Sequence, residues 1–346
     1  MQITGMLHGA RLLEFVGFPS TEVLGPGATE DEIKALLERH GEIFIKPCFK
    51  GGIGRKGKAG LLGRAHDLKT ALAQKERLYF AEHQSGHQRV KANGVAFEGG
   101  VPAAHEIYFS ITDSTLYRAP ALTLTHHGGV DIEEVDRVSI ATIPFDPLTG
   151  LKALVVANAL TEIRAPREII SPLVQQLPKL WELYHNFGMT TLELNPIRMR
   201  EDGKGRLMPV ACDFKGAFDR DDPRWSRLNL PAHLFAADYS DFEQEINALR
   251  THQDQSDVYV INPAGTVLAP TFGGGANSLV TEVLGEDAII SSDFGGNSPY
   301  EKMKSVARIC FRPGCSASQR RNTDRHRGGD RKDPVQCSAP TTGNRS

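Results

Sequence analysis

The stretch from Glu42 to Gly63 limits this chain more than any other. A short apolar strand, EIFIKP, runs into GGIGRKGKAG and then into LLG. Two phosphate-loop patterns overlap there and neither is complete. Gly52, Gly57 and Lys58 fit G-x-x-x-x-G-K, but Ala59 stands where that loop needs a Ser or Thr hydroxyl for Mg2+. Gly52, Gly54 and Gly57 also spell G-x-G-x-x-G, a pattern that needs a helix opening directly on the loop and an acidic residue about 20 positions on. Instead, KAGLLG continues as an extended, glycine-broken segment. The pattern predicts a basic hairpin in which Lys46, Lys50, Arg55, Lys56 and Lys58 gather positive charge and glycine backbone can approach phosphate oxygens. An unliganded surface hairpin fits the same residues. A nucleotide bound here would need its metal held elsewhere.

Strand-like and helix-like segments alternate along most of the chain, which predicts an α/β protein. ATEDEIKALLERHG reads as a helix capped by Thr29 and ended at Gly41, and GMLHGARLLEFVGF as another. VAFEGG, EIYFSITD, TTLELNPIRM and LMPVACDFKG read as strands, the last two joined by the turn REDGKG. REIISPLVQQLPKLWELYHNFG reads as a helical pair interrupted by prolines. Residues 217–245 lose periodicity. SDVYVINPAGTVLAPTFGGGANSLVTEVLG then gives strand, turn, strand, glycine loop and helix. With 346 residues, 40% of them hydrophobic, the chain can fill more than one core. A net charge of −2 gives no general attraction to nucleic acid or anionic membranes, and no apolar run approaches the ~20 residues of a membrane span. Five scattered cysteines without a C-x-x-C pair argue against a disulfide framework or a zinc site, so a cytoplasmic setting is expected.

Candidate metal ligands lie some 140 residues beyond the glycine loop. Asn195 and Asp213 sit on consecutive strands, and antiparallel pairing would bring them to one face. An amide oxygen and a carboxylate, completed by phosphate oxygens and water, make a hard-oxygen Mg2+ site. Each alone reads equally as a turn or strand-edge residue.

The strand ending in Lys46, the GGIGRKGKAG hairpin, EIY, GGVDIEEV and LELNPI…DFK occur in this order in the ATP-grasp β-type subunits of the acyl-CoA synthetase superfamily, which the chain resembles from about residue 5 to residue 310. The resemblance implies an ATP-grasp domain over 1–230, with subdomains about 1–95 and 96–230, and a linker over 231–245. It further implies the start of a CoA-ligase-type (Rossmann/flavodoxin-like) citrate-binding domain over 246–310. Succinyl-CoA synthetase and ATP-citrate lyase (with citryl-CoA synthetase) are the contending members. NPAGTVLAPTFGGGA is similar to the citrate-binding module of the lyase, and THHGG resembles the lyase version of that loop.

By this resemblance Lys46, Arg55, Gly57 and Lys58 would hold ATP phosphates, Glu98 would sit at the adenine hinge, and Glu106 would bind ribose hydroxyls. Asn195 and Asp213 would ligate Mg2+, and Lys215 matches the Lys of a D-x-K element. Asp131 and Glu133 would lie near the transferred phosphoryl group. Gly273, Gly274, Gly275 and Ala276 would form part of a citrate pocket. Exposed strand acids and a plain strand-to-helix turn are the bland alternatives. His126 and His127 read as solvated loop histidines, because the family's phosphohistidine belongs to an α-type partner subunit.

The implied assembly is therefore a hetero-oligomer, using CoA, in which the partner carries the phosphohistidine and the CoA and cleavage domains. A nucleotide-binding module without catalysis is the alternative of another class. From Phe311 onward only Phe311 and Val335 are large apolar residues, and eight Lys/Arg face three Asp. That composition predicts a disordered basic tail or, given the abrupt change after Cys310, a segment read out of frame.

Overall fold

A computed structural model describes residues 2–49, 60–85, 88–219, 222–229, 241–249 and 256–312. The chain divides into two compact units, residues 1–237 and 238–346.

The first unit opens with β1 (Gln2–Thr4), α1 (Met6–Glu14), β2 (Val23–Leu24), α2 (Glu30–His40), β3 (Ile43–Pro47), β4 (Gly63–Ala65) and α3 (Leu68–Leu78). A small hairpin, β5 (Glu82–Ser85) and β6 (Gln88–Lys91), precedes β7 (Val95–Gly99), β8 (Glu106–Ser114), β9 (Ala119–Thr125) and β10 (Ala141–Pro144). Helices α4 (Ala153–Glu162), α5 (Arg167–Gln176) and α6 (Lys179–Asn186) follow, then β11 (Met189–Glu201), β12 (Leu207–Ala211) and β13 (Lys215–Phe218).

Local chemistry explains the clearest of these elements. Thr29 and Glu32 form a reciprocal capping box at the start of α2, and Gly41, at φ 71°, ends it in the left-handed conformation that glycine adopts without strain. The helical pair expected between residues 167 and 186 is α5 and α6. Pro172 lies inside α5, and Pro178 precedes α6.

Strands β2, β7, β3 and β4 form a small sheet in that order. Its core joins Ile43, Ile45, Val95 and Phe97 to Ile33 and Leu36 of α2 and Ala71 and Leu78 of α3. A larger antiparallel sheet runs β1-β13-β11-β8-β9-β10, with β12 also paired to β11, and packs on α1 and α4–α6. This corrects the expected subdomain boundary at residue 95. β1 pairs with β13, and Leu12 and Leu13 of α1 lie in the larger core, so the N-terminal segment belongs with the second layer. β7 closes the first sheet, and the chain passes to the second between Gly99 and Glu106.

The hairpin expected around the glycine loop has antiparallel flanks: Ile43 pairs with Ala65 and Ile45 with Gly63. A strand, not a helix, follows the loop, which excludes both strand–loop–helix nucleotide folds. The loop residues themselves, with Arg55, Gly57 and Lys58, lie outside the described residues.

In the second unit, α7 (Asp241–Asn247) begins inside the stretch expected to be a linker, because Phe242 and Ile246 pack into this unit's own core with Val258, Ile290, Phe294 and Val306. β14 (Asp257–Val260), α8 (Gly274–Leu284), β15 (Ile290–Asp293) and α9 (Tyr300–Cys310) follow among the described residues. β14 and β15 pair antiparallel, and the segment expected as a second strand forms only a parallel bridge, Val267 to Ala288. Among the described residues no helix is long and apolar enough to cross a membrane. The expected tail lies, from residue 313, outside the described residues.

Candidate active site

Alternation along β3 and β7 sets the first wall of a cavity. Ile43, Ile45, Val95 and Phe97 point into the small core, so Phe44, Lys46, Ala96 and Glu98 share the other face. Phe44 opposes Glu98 and Lys46 opposes Ala96, which makes Lys46 and Glu98 diagonal neighbours. Their side chains meet: Lys46 Nζ lies 2.7 Å from Glu98 Oε2, with side-chain exposures of 15% and 3%. The same ammonium donates to the Cys212 carbonyl at 3.1 Å and lies 3.9 Å from Asp213 Oδ1. Burial alone would lower the Lys46 pKa. The charges of Asp213 and Glu98, and the Glu98 hydrogen bond, outweigh burial and hold it above the usual lysine value.

The opposite wall comes from the central strand of the large sheet. β11 buries Leu192 and Leu194 and turns Glu193 and Asn195 outward. β12 and β13 pair with the same edge of β11 in one continuing register, and Asp213 occupies the break between them. Asn195 and Asp213 therefore line one cavity of about 520 Å3, together with Lys46, Glu98, Glu106, Asp131 and Glu133. Lys215, paired with Glu193 across the strands, reaches it at 3.7 Å. Burial, and after it the nearby Asp213 charge, push the Glu193 carboxyl up despite Lys215. Burial and Glu193 push the Tyr108 phenol up to about 12, and burial does the same to the Cys212 thiol.

The loop between β9 and β10 forms the rim. Gly128 N–H donates to the Glu106 carbonyl at 2.8 Å, Gly129 N–H donates to Asn195 Oδ1 at 2.8 Å, and Asn195 Nδ2 donates to the Val130 carbonyl at 3.0 Å. A backbone N–H can only donate and a carbonyl only accept, so these two bonds fix which way the Asn195 amide faces. Asp131 then opens a 3-10 turn over Ile132–Glu134. The Glu106 carboxylate is held by Arg198, a residue that motif reading did not single out. Glu193 and Tyr108 were missed as well, although Glu193 stands inside the LELNPI motif.

The oxygen donors suit a hard divalent cation. Asp213 Oδ1 accepts from its neighbour's N–H (Phe214, 3.0 Å), its side chain is 38% exposed, and Glu193 lines the same cavity as a further carboxylate. Among the described residues no three His, Cys, Asp or Glu side chains converge as a closed metal cage. Phosphate oxygens and water would therefore complete the shell, which is how Mg2+ is usually held beside phosphates.

The residues expected to touch citrate lie in the second unit. Gly273, Gly274, Gly275 and Ala276 open α8, with Gly273 at φ 111°. Gly273 and Gly295 N–H both donate to Asp293 Oδ1, at 3.0 and 2.9 Å. An acid of this chain already occupies that helix entrance.

Two sheets joined by a short crossover, with a half-buried lysine on one and an Asn/Asp pair on the other, define an ATP-grasp type of fold. The sequence agrees: residues 19–199, more than half of the chain, match the ATP-grasp domain model, and the chain belongs to that family. Among curated relatives, the succinate–CoA ligase [ADP-forming] subunit beta of Bordetella avium is 24% identical over 88% of this chain and 78% of its own length. The same subunit from Polaromonas naphthalenivorans is 25% identical over 88% and 78%. Among solved structures, ATP citrate lyase from Methanothrix soehngenii, in complex with citrate and coenzyme A, superposes with a TM-score of 0.61 at 19% identity, covering 90% of this chain and 76% of that one. A variant of the Methanosaeta concilii ATP citrate lyase, in complex with (3S)-citryl-CoA, gives the same score at 17% identity and the same coverage. These superpositions establish the shared mixed α/β fold.

Proposed function

We propose that the chain is the ATP-binding, β-type subunit of ATP-citrate lyase, acting with an α-type partner subunit. The observation carrying the nucleotide part is Lys46, an ammonium fixed by Glu98 at the floor of a cavity whose other wall holds Asn195 and Asp213. Lys46, with Arg55, Gly57 and Lys58 of the hairpin, would neutralise triphosphate oxygens. Glu98 anchors Lys46, so the adenine edge would be met by backbone between Gly99 and Val101 rather than by the Glu98 carboxylate. Glu106 would accept from the ribose hydroxyls. Asn195 and Asp213 would hold Mg2+, which supplies charge neutralisation on the transferring phosphoryl group. Asp131 and Glu133 would face that group from the rim.

The chemistry follows from citrate's carboxylate being a poor acyl donor. Phosphoryl transfer from ATP to a histidine of the partner, then to citrate, would turn a carboxylate oxygen into a leaving group that CoA displaces. Cleavage of citryl-CoA to acetyl-CoA and oxaloacetate would be the partner's task. The resemblance of the NPAG…GGGA segment to the lyase's citrate-binding module supports citrate as the acid, which would have to displace Asp293 from the Gly273 and Gly295 N–H groups.

A second reading, succinate as the acid, is favoured by the relatives at 24–25% identity, which are succinate–CoA ligase subunits. Coexpression with an α-type partner, followed by an assay of CoA-dependent ADP release, separates the two. Release with citrate and not succinate supports the first reading, and the reverse supports the second. A thermal shift with MgATP but no acid-dependent turnover supports a nucleotide-binding module without catalysis. Absence of any MgATP response removes all three.

A further inference from the structure

Arg198 enters the cavity because β11 carries one residue more than β8 opposite it. Leu194 pairs with Phe109 and Ile197 with Ile107, so three steps along β11 match two along β8. Simple alternation from Asn195 would turn Arg198 to the other face, and the extra residue resets the phase. Arg198 then stands directly opposite Glu106. Its Nε donates to Glu106 Oε1 at 2.8 Å, its Nη2 lies 2.6 Å from the same oxygen as an ion pair, and its Nη1 donates to the Val101 carbonyl at 3.1 Å. The guanidinium carbon also lies 5.9 Å from the centroid of the Phe44 ring. Two hydrogen bonds, an ion pair and a ring contact thus fix the fork. Among the described residues Glu106 Oε2 makes no hydrogen bond. It faces Gly129, where an added Cβ would stand 2.1 Å away. The carboxylate is gripped by one oxygen while the other is presented beside a gap that only glycine leaves open.

We infer that Arg198 is a specificity-determining residue: it positions Glu106 so that Oε2 accepts from the vicinal hydroxyls of a ribose, and so makes the site prefer nucleotides that carry both hydroxyls to ones that lack them. This rests on the cavity being the nucleotide site proposed above. A glutamate held in its bound rotamer loses no further side-chain freedom when the sugar arrives, so the full charged hydrogen bond appears as affinity. That bond corresponds to roughly tenfold or more in binding.

The test is the dissociation constant of the full chain for MgATP and for magnesium 2′,3′-dideoxy-ATP, by calorimetry. The wild type should prefer ATP by roughly tenfold or more. Arg198→Gln should reduce the preference to below about threefold while dideoxy-ATP binding changes little. Arg198→Lys, which keeps the charge but loses the fork, should do the same and stands in if the Gln variant does not fold. Glu106→Gln should also lose the preference. A merely structural role for Arg198 would weaken both nucleotides alike and leave the ratio intact, and that result overturns the inference. So does a wild type that binds both nucleotides equally. A wild type that binds neither overturns the nucleotide reading itself, and this inference with it.

Discussion

Replacing Lys46 with Met tests whether the cavity floor is an ion pair or only a crowded corner. The Lys46 and Glu98 side chains are 15% and 3% exposed and 2.7 Å apart. Deleting the ammonium takes the Lys46 charge away from the buried Glu98 carboxylate, and breaking a buried pair from one side costs about 3–5 kcal/mol. In a unit of this size, residues 1–237, each kcal/mol moves the midpoint by about 2–4 °C, so the expected loss is about 6–20 °C. Lys46→Met/Glu98→Gln removes both charges and should recover most of that loss, because replacing a whole buried pair is often close to neutral. The pH dependence follows in sign. In the single variant the Glu98 carboxyl should titrate above its ordinary range, so the destabilisation should be full at neutral pH and shrink as pH falls through that raised value. The assay is urea and thermal unfolding of wild type, both single variants and the double between pH 5 and 8, with MgATP binding measured alongside. Both Lys46 variants should lose MgATP binding. A single variant that loses less than about 1 kcal/mol, or a double variant no more stable than the single, would refute the buried-pair reasoning.

Other expectations follow from neighbouring contacts. Asn195→Asp keeps an oxygen for Mg2+ but loses the donor to the Val130 carbonyl; metal affinity should hold or rise, while amide exchange around Gly129 quickens roughly fivefold for about 1 kcal/mol lost. Unchanged exchange would show that the amide does not hold the rim. Gly9→Ala places a Cβ 2.4 Å from that of Phe214, next to Asp213; overpacking should cost about 1–3 kcal/mol in urea unfolding and weaken Mg2+-dependent nucleotide binding. Burial, then the neighbouring His127 and His105, lower the His126 pKa. A depressed folded-state value means stability present above the ordinary histidine range and lost as pH falls through it. His126→Gln should therefore flatten the stability profile between pH 7 and 5, and an unaltered slope would exclude His126 as its source.

Much of this was legible in the order of residues. The α2 boundaries were written locally, in Thr29 and Gly41, because a cap and a left-handed stop are made by residues within four positions of each other. The strand after the glycine loop was legible because KAGLLG is too glycine-broken to open a helix, and that alone separated the chain from the common strand–loop–helix nucleotide folds. Asn195 and Asp213 could be paired in advance because a hairpin with a visible turn has few registers.

Other assignments needed the tertiary structure. Nothing in MQITGMLHG says that β1 joins the far sheet, since its partner β13 lies some 210 residues away and pairing is decided by which sheet edge remains unfilled. Phe242 and Ile246 read as linker because two apolar residues have no meaning until a core exists to receive them. Glu98 was readable as a site acid, but its engagement with Lys46 depended on how two strands align. Arg198 was hidden most thoroughly. Alternation placed it on the wrong face, and only one additional residue on β11, an outcome of pairing with β8, turned it toward Glu106. Sequence by itself determined the local stops, the α/β alternation and the identities of the charged groups. Tertiary structure decided which of those charges meet, because strand register is settled by long-range pairing and burial rather than by any short window of residues.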